Sequence, residues 1–86
     1  MTINKFIERI ESSKINNLAY KVDGKEGLVS VWKYDGSYFV TWEECPAGEQ
    51  YDESTYTRDE RHRLGSIEQL MAFLADQGLR PEAFQP

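Results

Sequence analysis

Apolar and polar residues alternate through the middle of this chain and recur at helical spacing near its two ends. From Leu28 to Glu43 two β-rich runs, Leu-Val-Ser-Val-Trp-Lys-Tyr and Ser-Tyr-Phe-Val-Thr-Trp-Glu, flank Asp35-Gly36. Asp-Gly between such runs predicts a hairpin with a type I′ turn, whose two central residues both need positive φ. Pairing outward from that turn sets Tyr34 opposite Ser37, Trp32 opposite Phe39, Val31 opposite Val40 and Val29 opposite Trp42. Upstream, Leu18–Asp23 reads as a further strand, joined to Leu28 through Asp23-Gly24-Lys25-Glu26-Gly27. A loop of two or of four residues there leaves the facing unchanged, because a slip of two preserves side-chain parity. One face of the predicted sheet then carries Leu18, Tyr20, Val22, Val29, Val31, Tyr38, Val40 and Trp42, and is the core side. The other carries Ala19, Lys21, Ser30, Trp32, Tyr34, Ser37, Phe39, Thr41 and Glu43, with Leu28 near its rim. Such a mixed face suits the solvent side of an antiparallel sheet, and the Trp32–Phe39 pair is its anomaly.

At the N-terminal end, Ile3, Phe6, Ile7 and Ile10 follow Thr2 at i, i+3, i+4, i+7, which predicts a capped amphipathic helix ending near Ser13. At the other end Ser66 and Gln69 form a capping box ahead of an Ile67, Leu70, Met71, Leu74 stripe with Phe73 beside it, and Gly78 stands at the left-handed closing position. Pro81-Glu82-Ala83-Phe84 reads as one further turn that returns Leu79 and Phe84 to the core. Glu44-Cys45-Pro46-Ala47-Gly48 ends the third strand. Residues 55–63 carry two signals: Thr55, Tyr56 and Thr57 favour a strand, whereas Thr57-x-x-Glu60 fits a capping box. A strand is preferred, since no apolar stripe runs through Arg58–Arg63. The order α-β-β-β-(β)-α with tight β connections predicts an α+β fold: an antiparallel meander of three or four strands, with the N- and C-terminal helices packed on one face.

Eighty-six residues make one domain, 1–86. A chain of this size buries roughly 60–65% of its unfolded surface, enough for one core without a roomy cleft. Four Phe, five Tyr and two Trp supply burial that the aliphatics do not. No apolar run approaches the ~18 residues of a membrane span, and Met1–Ile10 holds Lys5, Glu8 and Arg9 where a signal peptide needs an apolar stretch. A single cysteine allows no internal disulfide, so a cytoplasmic location is expected. The net charge of −5 is concentrated. Residues 43–60 hold Glu43, Glu44, Glu49, Asp52, Glu53, Asp59 and Glu60 against Arg58 alone, a balance of −6, while residues 1–42 sum to +1 and residues 61–86 to zero. Charge of one sign gathered in one segment attracts basic partners and repels polyanions.

Candidate chemistry narrows the choice further. His62 is the only histidine and Cys45 the only thiol. A Cys–His nucleophile needs the fold to join them, and their spacing does not demand it. The sequence has no Gly-rich phosphate loop, metal-binding histidine motif or Ser nucleophile elbow, so no enzymatic activity and no cofactor is expected. The acids lack the calcium-loop pattern around a Gly, and no metal site is assigned. The element order is similar to that of double-stranded RNA-binding domains, which need a basic cluster at the second helix to hold phosphates. Ser66–Gly78 has no Lys or Arg, so that function is not carried over. The sequence therefore points to a small acidic, non-enzymatic protein-binding module. Trp32, Tyr34 and Phe39 provide contact, and Glu43, Glu44, Glu49, Asp52, Glu53, Asp59 and Glu60 attract a basic partner, by analogy with inhibitors or immunity proteins that neutralise nucleases. The alternative is a nucleic-acid-binding module stacking bases on the same aromatics. A homodimer through the outer sheet face or the first strand's edge is a third option.

Overall fold

A computed structural model describes all of residues 1–86. The chain runs α1 (Ile3–Glu11), β1 (Asn16–Val22), β2 (Lys25–Tyr34), β3 (Ser37–Pro46), β4 (Arg58–Leu64) and α2 (Ile67–Asp76), with short 3₁₀ turns at Glu53–Thr55 and Pro81–Ala83. The strands form one antiparallel sheet in the order β1-β2-β3-β4. This is the α+β meander expected from the sequence, with four strands. No helix is long and apolar enough to cross a membrane.

The hairpin register is the predicted one throughout, from Tyr34↔Ser37 to Val29↔Trp42. Asp35 and Gly36 sit at φ 51° and 76°, as a type I′ turn requires. A second turn of the same kind, Asp23 and Gly24 at φ 50° and 74°, joins β1 to β2, so β2 begins at Lys25 rather than Leu28. Residues 58–64 are a strand, with the inward positions Arg58, Glu60, His62 and Leu64 half-buried between exposed neighbours. That alternation accounts for the missing helical stripe.

Both helices lie on the face carrying Val29, Val31, Tyr38, Val40 and Trp42, and their buried residues Phe6, Ile10, Leu70 and Leu74 complete the core with Leu79 and Phe84. Thr2 and Ser66 cap them by accepting from the Lys5 and Gln69 amides. Asn16, fully buried, ties α1 to the sheet: its amide donates to the Phe6 carbonyl at 3.1 Å, and its carbonyl accepts from Arg9 Nε at 2.8 Å.

Val22, expected on the core side, is 56% exposed. It is on the predicted face, but the helices do not reach it. Ten-residue β2 and β3 extend about 33 Å at 3.3 Å per residue, whereas helices of nine and ten residues span only about 15 Å. Beyond the helices the sheet covers itself. Tyr20 lies across Gly27 and accepts a hydrogen bond from Trp42 Nε1 at 2.9 Å. The Arg58 guanidinium sits 3.5 Å from the centre of the Trp42 ring.

Candidate interaction face

The opposite face of the sheet carries no helix. Strand parity places Asn17, Ala19 and Lys21 of β1, Glu26, Leu28, Ser30, Trp32 and Tyr34 of β2, and Ser37, Phe39, Thr41, Glu43 and Cys45 of β3 on it. Asp59, Arg61 and Arg63 of β4 join them. Near the Asp35-Gly36 turn, Trp32 and Phe39 stack with ring centroids 5.7 Å apart and planes 19° from parallel. Tyr34 beside them is 71% exposed. The three aromatics predicted to make contact thus share one open patch. Arg61 reaches over them, 5.3 Å from the Phe39 centroid and 5.9 Å from Trp32. Arg63 Nε donates to Ser37 Oγ at 3.0 Å.

The seven acids do not form one surface. Glu43 and Asp59 face outward as direct cross-strand neighbours, and neither forms an ion pair within the chain. Glu44 and Glu60 lie on the helix side. The Tyr20 hydroxyl donates to Glu44 at 2.6 Å and Thr57 Oγ1 at 2.7 Å, and these bonds hold its carboxyl below the ordinary value. Glu60 accepts from His62 Nε2 at 2.9 Å and pairs with Arg58 Nε at 2.9 Å. The His62 hydrogen bond, then Arg58, keeps it low as well. Both acids are therefore engaged inside the fold. Glu49, Asp52 and Glu53 belong to the connection between β3 and β4 and are exposed. Asp52 caps the 3₁₀ turn by accepting from the Ser54 amide at 3.1 Å.

That connection folds over the outer face. Its ends are fixed by the Ala47 amide on the Gly24 carbonyl at 2.8 Å and the Thr57 amide on the Glu44 carbonyl at 2.7 Å. Tyr56 donates to the Gln50 carbonyl at 2.6 Å, and the Gln50 amide donates to Glu26. Together with the sheet these residues enclose an open cavity of about 550 Å³ walled by Ala19, Leu28, Glu43, Cys45, Gln50 and Tyr56.

No protein-family model, curated protein or solved structure matches the chain. What the site can do must therefore be read from its own geometry. Cys45 and His62 do not form a catalytic pair: Cys45 is on the outer face, and His62 is on the helix face, its ring 4.6 Å from that of Phe73. Burial, then the surrounding carboxylates beginning with Glu26, pushes the Cys45 thiol up, away from the thiolate a nucleophile needs. Three further residues shape this face without a motif of their own. Arg61 and Arg63 alternate onto the aromatic face only once residues 58–64 are known to be a strand, and their period-two spacing was the available signal. Tyr56 had no signal, because its position depends on how residues 47–57 fold back.

Proposed function

We propose that this chain is a non-enzymatic protein-binding module that engages its partner with the uncovered face of its sheet. The observation that carries this reading is the stacked Trp32–Phe39 pair with exposed Tyr34 on a face no helix covers. Aromatics are enriched at the centres of protein interfaces, where rigid rings bury large areas at low entropic cost. Glu43 and Asp59, on the same face without internal cations, supply the attraction for a basic partner, with the exposed loop acids Glu49 and Glu53 extending the field. An inhibitor- or immunity-type role toward a basic cytoplasmic protein is consistent with this charge. The test is capture of a basic partner by the immobilised wild-type domain compared with Trp32→Ala and with Glu43→Gln/Asp59→Asn. Loss of the same partner with both variants supports the reading, and retention by Trp32→Ala overturns it.

Arg61 favours a second reading. A cation over stacked aromatics is also how single-stranded nucleic acid is held. Salt separates the two: affinity for nucleic acid falls steeply and linearly in log salt, whereas an aromatic protein interface weakens less. Self-association through the same face, or along the β1 edge, is a third option. On that edge Gln85 already pairs with Asn17 through two 2.7 Å backbone bonds, which leaves only the Ala19–Lys21 stretch for a second copy. A single monomer mass by light scattering at two concentrations removes this option.

A further inference from the structure

The cavity beneath residues 47–57 sits on the proposed contact face but away from its aromatics, and its chemistry is different. Its floor is apolar: Ala19 and Leu28 are adjacent across β1 and β2, and Leu28 is 42% exposed, an aliphatic left uncovered by this protein's own chain. The next side chain across the sheet is Glu43, followed by Asp59. Strands lie about 4.8 Å apart, so the row Ala19–Leu28–Glu43–Asp59 passes from hydrocarbon to two carboxylates within about 15 Å. The carboxylates face each other directly, an arrangement that costs stability unless a cation intervenes. None does. Lys21, at the cavity mouth, is 3.4 Å from Glu26, Lys25 pairs with Glu44, Arg58 with Glu60, and Arg61 lies over the aromatics. The Tyr56 ring closes the wall, held in place by its hydroxyl bond to Gln50. The carboxylates around the cavity, Glu43 among them, also contribute to the upward shifts of the Cys45 thiol and Tyr56 hydroxyl that burial begins, as a locally negative potential would.

We infer that this cavity receives an arginine side chain of the protein partner, its methylene stem on Ala19 and Leu28 and its guanidinium on Glu43 in the cavity wall, with Asp59 the next carboxylate across the sheet, just outside it. Arginine suits the row better than lysine. Either stem covers apolar surface while the head stays polar, but only arginine's planar fork both pairs with a carboxylate in bidentate fashion and stacks on an aromatic face such as Tyr56. The inference rests on the proposed open-face reading and names the residue type that the acidic half of the face selects.

The test is an amide-resolved NMR titration of the whole chain with the blocked peptide acetyl-Gly-Gly-Arg-Gly-Gly-amide. The matched controls carry citrulline, the neutral isostere, or lysine at the central position. Saturable shifts at Ala19, Leu28, Glu43 and Tyr56 with the arginine peptide are expected, with none from the citrulline peptide, and with affinity about fivefold weaker in Glu43→Gln, the loss typical of one partly exposed ion pair. Glu43→Gln removes a like-charge contact at the surface, so the variant is expected to fold. No shifts, equal shifts with citrulline, shifts centred on Trp32 and Phe39, or unchanged affinity in Glu43→Gln would each overturn the inference. Lysine binding as tightly as arginine would overturn the arginine assignment. A negative titration leaves partner capture dependent on Trp32, so failure here is distinguishable from failure of the open-face reading.

Discussion

Gly27 shows how narrowly a single position can be determined. A Cβ there meets the ring of Tyr20, and that ring cannot swing aside freely. Its hydroxyl is held at 2.6 Å by Glu44 and at 2.9 Å by Trp42, and the glycine's own φ is unremarkable for a strand. Gly27→Ala is therefore expected to destabilise by about 1–3 kcal/mol through overpacking, read from the urea midpoint. Most of that cost should vanish in the Tyr20→Ala background, where the ring is gone. Ser13 is the opposite case. It closes α1 at φ 62° with the paired bonds of Ser13 to Ile10 and Lys14 to Arg9, the closure that Gly78 provides for α2 at φ 72°. An L-residue with a Cβ is penalised in that conformation. Ser13→Gly should stabilise the protein by up to about 1 kcal/mol, measured by thermal unfolding. Tyr38 titrates late because Glu11 accepts from its hydroxyl and because it is buried; its pKa is pushed up to about 12 from 10.0. The fold thus favours the neutral phenol. The stability this contributes is complete below pH about 10 and lost as pH rises toward 12. Tyr38→Phe should show a flatter loss of stability over that alkaline window, by circular dichroism in buffered urea.

At the scale of elements, the mismatch between long strands and short helices organises the molecule. Leu74, under α2, is fully buried, and Leu74→Ala should cost about 2–5 kcal/mol. Val22 lies on the same face of the sheet but past the helix ends, and at 56% exposure Val22→Ala should stay within about 0.5 kcal/mol. Chemical denaturation of the two variants checks the contrast directly. Equal losses would mean that the helices cover the sheet end to end. Most of this layer was legible in the sequence. The hairpin register followed from Asp35-Gly36, both helix caps from Thr2 and Ser66, and the inward face from alternation, because each depends on residues close in the chain. Residues 55–63 were less legible, since Thr57 and Glu60 satisfy a helix-start rule while β4 is stabilised by its ladder to β3, a non-local partner.

For the whole molecule, strand pairing divides the acidic segment between the two faces of the sheet. The outer face is aromatic and arginine-lined near the Asp35-Gly36 turn and acidic around Glu43 and Asp59 at the other end. Glu44 and Glu60 are held below their ordinary pKa by hydrogen bonds on the helix side, so they support the fold at neutral pH and lose that support as the pH falls from the ordinary carboxylate value through their lower folded values. A binding partner is expected to depend on Trp32 far more than stability does. Trp32→Ala should cost about 0.5–1 kcal/mol of folding free energy, the value of one cross-strand aromatic pair, while abolishing capture. Unfolding curves and capture measured on the same preparation check both halves of that statement.

The elements, their order and the direction in which each strand residue points are written in the residues themselves, because turn chemistry and side-chain periodicity act over a few neighbouring positions. Which of the seven acids are free emerges only when the chain is folded. That depends on β4 pairing with β3 and on the return of residues 47–57 across the sheet. Each of these joins residues distant in the chain, whose meeting is governed by packing and loop closure rather than by local preference.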